Sequence, residues 1–146
     1  MYLGSMDDVL ELLRSRYFGK YRGTVVSNQD STGRGRLEVR VPAVLGDLTA
    51  WAMPCVPYAG SKVGLYCLPE PDAGVWVEFE GGDISFPIWV GCFWADDELP
   101  DDNDANIKVL RTQKTKLRLD DGELTEPRLD RDTAADGGGR AAVAEV

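Results

Sequence analysis

The sequence predicts an all-β protein, a small closed barrel of about five strands preceded by one short helix. Three observations support this fold class. Short stretches that alternate apolar and polar side chains recur at regular spacing, and turn residues separate them, with 16 Gly and 8 Pro in 146 residues. Helical periodicity is limited to one stretch near the N-terminus. With 43% apolar residues, the chain can bury the core of one ordinary domain.

The predicted helix occupies residues 1–18, ahead of the barrel. Ser5, followed three residues later by Asp8, is typical of a capping box at a helix start. The apolar residues around it recur at helical spacing: Met6, Val9, Leu10, Leu13 and Tyr17. A helix with one apolar stripe normally buries that stripe. We expect it to cover the open end of the barrel or a neighbouring subunit, with packing into the chain's own core as the alternative.

Residues 19–95 contain the predicted barrel. Residues 21–26 and 36–41 alternate with a period of two, which predicts a pair of antiparallel strands. The polar, glycine-bearing residues 28–35 between them predict a long hairpin loop. Pro42 ends the second strand because proline has no amide hydrogen to donate to a sheet.

The later strands of the barrel follow at short intervals. Residues 51–56 predict a third strand, and Pro54 places it at an edge or a bulge. Residues 75–79 alternate clearly, residues 81–83 make a tight reversal, and residues 86–94 form the most hydrophobic strand of the chain. Strands of this length and spacing are typical of a small closed barrel.

The residues beyond the barrel differ in character. Residues 96–106 are rich in acidic side chains and predict a solvated linker. Residues 107–111 and 116–120 alternate apolar and charged side chains, but two short strands bury too little surface to fold alone. They must therefore pair with the barrel or with other copies of the chain. Residues 130–146, with three consecutive glycines and many alanines, predict a flexible tail.

The charge and the residue types narrow the function classes. A formal net charge of −9 repels phosphate backbones and anionic lipids, and a chain without histidine lacks the commonest general base and metal ligand. Cys55, Cys67 and Cys92 lie among apolar residues, which predicts buried thiols in a reducing compartment. We see neither a membrane-spanning run of roughly 20 apolar residues nor a secretory signal. We therefore expect synthesis and assembly in the cytoplasm.

Two other function classes stay open from the residues alone. Five-stranded barrels often bind oligosaccharides or single-stranded nucleic acids. The side chains that could line such a groove are Arg34, Arg36, Arg40, Lys62 and Tyr58. An enzyme would need an acid–base pair of carboxylates, for which the candidates are Glu78 with Glu80 and Asp120 with Asp121. Such residues more often form a solvated face, and we predict no catalytic residue, no cofactor and no metal site.

Several short motifs follow one another in a particular order. They are Gly19-Lys20-Tyr21-Arg22-Gly23-Thr24-Val25, Gly35-Arg36-Leu37-Glu38-Val39-Arg40-Val41-Pro42, Trp51-Ala52-Met53-Pro54, Pro71-Asp72-Ala73-Gly74-Val75-Trp76-Val77-Glu78-Phe79-Glu80-Gly81-Gly82-Asp83 and Phe86-Pro87-Ile88-Trp89-Val90-Gly91. Together they resemble the barrel domain of the baseplate spike family, which includes phage baseplate assembly protein V and the VgrG spike of type VI secretion.

The resemblance implies an OB-fold barrel in a structural, non-enzymatic spike or hub subunit of a phage tail or contractile injection system. In this family the barrel leads into strands that intertwine with those of two other subunits as a β-helix. Residues 107–121 are similar to the start of one, and residues 107–129 are expected to form a short β-helix stub. The side chains then expected at the trimer axis are Ile107, Val109, Leu117 and Leu119.

The resemblance also implies partners. A homotrimer of this kind joins tail tube or hub proteins to baseplate wedge proteins and to a PAAR-like tip protein. The helix is expected to contact the hub, through Val9, Leu10, Leu13 and Tyr17.

Overall fold

The computed structural model of the protein describes residues 4–122 and 126–131. The chain divides into two compact units, with the boundary between Ala95 and Asp96. In chain order the elements are α1 Met6–Ser15, β1 Tyr21–Ser27, β2 Leu37–Arg40, α2 Pro42–Leu45, β3 Thr49–Pro54, β4 Ala59–Gly60, β5 Val63–Gly64, β6 Gly74–Phe79, β7 Pro87–Phe93, β8 Ile107–Arg111, β9 Thr115–Asp120 and β10 Arg128–Arg131.

Five strands of the first unit form a closed barrel in the order β1-β2-β3-β7-β6, which confirms the predicted fold class. All neighbours run antiparallel except β3 and β7, whose parallel pairing closes the barrel. Alternate residues point inward, so Leu37 and Val39 are fully buried while Glu38 between them is not. The core consists of Val25, Leu37, Val39, Val41, Ala52, Val75, Val77, Phe79 and Trp89.

The helix α1 begins where the sequence predicts. Ser5 caps it by accepting a hydrogen bond from the amide of Asp8 at 3.2 Å, and the Asp8 carboxylate accepts one from the amide of Gly4. The helix ends at Ser15, because Arg16 adopts an extended conformation. None of its ten residues is buried.

Tyr17 therefore lies outside the helix, contrary to the predicted apolar stripe. Its amide donates to the carbonyl of Gly82 at 2.8 Å, and its ring packs edge-on against Tyr21 and Phe79. These contacts hold Tyr17 against the barrel core. Although Tyr17 follows Leu13 at helical spacing, the two side chains do not lie on one helix face.

The second unit contains a three-stranded antiparallel sheet in the order β10-β9-β8. Its first hairpin turn is closed by Thr112 and Thr115, whose backbone groups pair at 2.8 Å. The third strand, β10, includes Asp130 and Arg131, which the sequence assigned to a flexible tail. This short strand carries one apolar residue among charged ones, so it shows too little alternation to be recognised. The rest of the predicted tail, residues 132–146, lies outside the described residues.

Candidate interaction surfaces

The predicted hub-contact residues separate into two groups. Leu10 and Leu13 are exposed on α1, as is Met6, and Val9 is partly covered. Tyr17 packs against the barrel core and belongs to a different environment. The structure therefore leaves an apolar stripe of Met6, Leu10 and Leu13 on α1, available to a partner.

The loop between β1 and β2 is organised around Asp30. Its carboxylate accepts hydrogen bonds from the amides of Thr32, Arg34 and Arg36, and from the Arg36 guanidinium at 3.0 Å. The bond from the Arg36 side chain, with those from Thr32 and from the Arg36 amide, holds the pKa of Asp30 well below its usual range. The guanidinium of Arg36 also lies 5.2 Å from the Trp51 ring centroid. The Arg36 side chain is therefore already engaged by Asp30 and Trp51 of its own chain.

An extended arm, residues 55–68, leaves the barrel after β3 and carries the β4–β5 hairpin. Its base is fixed by a hydrogen bond from the Cys55 amide to the Trp89 carbonyl, and by the packing of Val56 and Leu68 on the core. Towards its tip the apolar side chains are exposed, including Tyr66 at 76%. The sequence pattern missed this hairpin because its strands have only two residues each.

A groove of about 490 Å³ runs beside the arm, and part of the predicted ligand groove lies there. Arg34, Tyr58 and Lys62 line it together, with Trp89 among the other lining residues. Arg40 does not join them, because it pairs with Thr49 at the start of β3 whereas the arm leaves from its end. The structure thus unites three of the five predicted groove residues.

A stacked cluster lies on the outer face of β1, β6 and β7. The Arg22 guanidinium sits 5.0 Å from the Trp76 ring centroid and 4.9 Å from that of Phe93. A Cβ added at Gly74 would lie 2.7 Å from the Phe93 ring, so a larger residue at this position would displace the ring. The rings are already stacked within the chain, so they do not offer a free platform for bases.

Within the described residues, three of the four carboxylates considered as acid–base candidates form ion pairs, the exception being Glu80. Glu78 binds Lys20 at 2.9 Å, Asp120 binds Arg118 at 2.8 Å, and Asp121 binds Lys108 at 2.6 Å.

The prediction of buried thiols is wrong. Cys55, Cys67 and Cys92 are free and exposed. Cys55 and Cys67 belong to the arm, whose apolar residues extend away from the core, and Cys92 lies near the end of β7. The apolar neighbours in sequence therefore did not indicate burial.

The register of the β8–β9 hairpin separates the predicted trimer-axis residues. Odd-numbered residues of β8 pair with even-numbered residues of β9, as Val109 does with Arg118, and even-numbered residues of β8 pair with odd-numbered residues of β9, as Leu110 does with Leu117. Residues directly opposite each other share a face of the sheet. Ile107 and Val109 therefore lie on one face of the sheet and Leu117 and Leu119 on the other, so the four residues expected at the trimer axis do not share a face within one chain.

The face that carries Leu117 is completed by leucines that the sequence did not single out. Leu129 of β10 pairs with Leu117, which pairs with Leu110, so a row of leucines crosses all three strands. We call Leu110, Leu117, Leu119 and Leu129 the leucine face. Their exposed fractions are 61%, 38%, 42% and 46%. The length of the turn could have predicted them, because a four-residue turn sets which residues of β8 lie opposite which residues of β9.

The opposite face is charged and partly covered by the acidic linker. Asp101 lies within 2.8 Å of the Lys116 ammonium and 3.4 Å of the Arg118 guanidinium, and its side chain is 12% exposed. The hydrogen bond from Lys116, with that from the Asp102 amide, lowers the pKa of Asp101. Arg111 also donates to the carbonyl of Pro100 at 3.1 Å. The linker is thus bound to this ion-paired face, and is not the purely solvated spacer expected.

Within residues 4–122 and 126–131, no helix is long and apolar enough to cross a membrane.

Residues 21–94 match a family model, that of the type VI secretion system/phage-baseplate injector OB domain. The matched range runs from the first residue of β1 to just past the end of β7, so it contains the whole barrel and the arm. A comparison with curated proteins finds no significant match.

Proposed function

We propose that this chain, which belongs to the family of type VI secretion system/phage-baseplate injector OB domains, is a spike or hub subunit that closes the end of the tail tube and carries the tip. Its family membership gives it a structural role in a baseplate. In the proposed role, the chain forms a homotrimer that is assembled in the cytoplasm. The homotrimer binds tube or hub proteins, wedge proteins and a PAAR-like tip protein.

The observation that carries this proposal is that a closed barrel is preceded and followed along the chain by elements with exposed apolar side chains. The stripe on α1 precedes the barrel, and the leucine face follows it. An adaptor needs separate contacts for its own copies and for its neighbours in the assembly. Apolar side chains exposed together mark sites of protein association.

We assign the stripe on α1 to the tube or hub protein. Met6 and Leu13 are 71% and 56% exposed, and amphipathic helices commonly bind by laying their apolar side into a groove. Acidic residues of the first turn, Asp7 and Asp8, interact favourably with the helix dipole, which stabilises the helix even without packing.

The proposed role is tested by deleting the gene and imaging the resulting particles by electron microscopy. We expect tubes and sheaths without a closed, tipped baseplate, and restoration by the wild-type chain. Normal, tipped baseplates in the deletion strain would contradict the proposal.

A second candidate function is the binding of an oligosaccharide or a single-stranded nucleic acid in the groove beside the arm. The observation in its favour is the meeting of Arg34, Lys62 and Tyr58 in one groove. Against it stand the net charge of −9 and the engagement of Arg36 by Asp30. Saturable binding of single-stranded DNA that weakens with salt, and that Lys62→Glu abolishes, would support it.

A further inference from the structure

We propose that the stacked cluster of Arg22, Trp76 and Phe93 is a docking site for a carboxylate of another protein. The occupant is an Asp or Glu side chain that a neighbouring subunit of the baseplate presents beside an apolar group. This inference rests on the proposed function for the presence of protein neighbours. It adds a contact on the barrel wall to the contacts assigned to α1 and to the leucine face.

The Arg22 guanidinium is held in place by two rings of its own chain. It lies 5.0 Å from the centroid of the Trp76 ring and 4.9 Å from that of Phe93, and the two rings lie 5.0 Å apart. Trp76 is the direct partner of Arg22 in the β1–β6 ladder, so both side chains lie on the same outer face. Because the rings already restrict this long side chain, a partner loses less conformational entropy in binding it.

The positive charge of Arg22 has no carboxylate to balance it in the part of the chain that the structure describes. Glu78 is the one acidic residue of β6, two positions along from Trp76 on the same face, and its carboxylate binds Lys20 at 2.9 Å. Ring faces attract a cation without neutralising it. Arg22 is exposed, so the N–H donors of its guanidinium can bind a carboxylate from outside.

The sheet leaves an open position on the other side of Trp76. Gly91 of β7 is the ladder partner of Trp76, and a Cβ built on Gly91 meets nothing within 4 Å. Its φ of 155° is one that other residues rarely adopt. Since β1 and β7 flank β6, Arg22 and Gly91 lie about 10 Å apart along the row. A short partner segment spans this distance, with an apolar side chain beside the indole and a carboxylate at Arg22.

The chemistry of the cluster favours a protein over a nucleic acid. Trp and Arg are the residues that most often dominate the binding energy of protein interfaces. A net charge of −9 repels a polyphosphate backbone, whereas a single carboxylate among apolar groups brings only one negative charge. Stacked bases also need free ring faces, and Arg22 already occupies those of Trp76 and Phe93.

The first test measures how much of each variant is incorporated into particles of the deletion strain. We expect Arg22→Gln to lower the amount of the chain in purified particles at least about tenfold, because it leaves the partner's carboxylate buried without a cation. The matched control is Arg40→Gln, at an exposed arginine on the outer face of β2. That variant should be incorporated like the wild-type chain.

Thermal unfolding of the purified proteins separates docking from a structural role. Arg22→Gln removes two ring contacts at the surface and no core packing, so its melting temperature should fall by no more than a few degrees. A larger fall would assign the lost incorporation to a weakened barrel and overturn the inference. Normal incorporation of Arg22→Gln would also overturn it and leave the proposed function standing, whereas normal baseplates in the deletion strain contradict the proposed function itself.

A zero-length cross-link identifies the source of the carboxylate. Arg22→Lys keeps the charge and supplies a primary amine, which a carbodiimide joins to a carboxylate in contact as an amide, taking up the water released. In particles that carry this variant, we expect mass spectrometry to find position 22 joined to an Asp or Glu of another baseplate protein. Arg40→Lys should give no such link. A link to another copy of this chain, no link at position 22, or equal links from both variants would overturn the inference.

Discussion

At the scale of single residues, the carboxylate of Asp30 shapes the loop between β1 and β2. It accepts bonds from three amides and one guanidinium, and its side chain is 3% exposed. The sequence predicted a polar loop at this position but not its internal order. Asp30 and Arg36 are six residues apart, and no local pattern indicates that the chain turns back to pair them.

This pairing predicts how stability depends on pH. The folded pKa of Asp30 is lowered, so its contribution is present above the ordinary aspartate pKa near 4 and is lost as pH falls below it towards the folded value. Asp101 acts in the same direction. We expect Asp30→Asn to lower the melting temperature by several degrees at pH 7 and by somewhat less at pH 3, where the unfolded chain binds a proton at this carboxylate but the folded chain does not.

The exposed Asp47 provides a control for that measurement by thermal unfolding. Asp47→Asn should change the melting temperature little at either pH. An Asp30→Asn variant as stable as the wild type at pH 7 would show that the ion pair does not hold the loop.

At the scale of elements, period-two alternation predicted the barrel strands within about two residues at each end, because each strand buries one side in the core. In the C-terminal sheet the same reasoning predicted β8 and β9, but not which side of one strand shares a face with which side of the other. Each strand was interpreted alone, and only the turn at Thr112–Thr115 decides which sides of β8 and β9 coincide. The arm and β10 escaped detection because they are too short for any periodicity.

The difference between the stripe on α1 and Tyr17 gives a prediction at this scale. Leu13→Glu should leave the melting temperature of the purified protein unchanged, since no residue of α1 is buried, but prevent incorporation into baseplates. Tyr17→Ala should destabilise the barrel by about 2 kcal/mol, because it removes an aromatic ring packed on Tyr21 and Phe79.

Urea denaturation and the protein content of purified particles check the two effects. Normal incorporation of the Leu13→Glu variant into baseplates would contradict the proposal that the stripe on α1 contacts the hub. A large loss of stability in that variant would instead show that α1 packs against its own chain.

At the scale of the whole molecule, the fold class and the family could be predicted because they depend on the barrel, where burial imposes a strong pattern on the sequence. The surfaces could not, since exposed residues obey no such constraint. The thiols of Cys55 and Cys67 illustrate this: apolar neighbours in the chain suggested a core, yet they lie in an arm that extends away from it. Function in a baseplate depends on these exposed parts.

The central claim is that copies of the chain associate in threes through the sheet that follows the barrel. Sedimentation equilibrium of the full chain, beside a chain truncated after Pro100, tests it most directly. We predict three times the 16.0 kDa chain mass for the full protein and a folded monomer for the truncated one. A full-length monomer, or a trimer that survives the truncation, would contradict it.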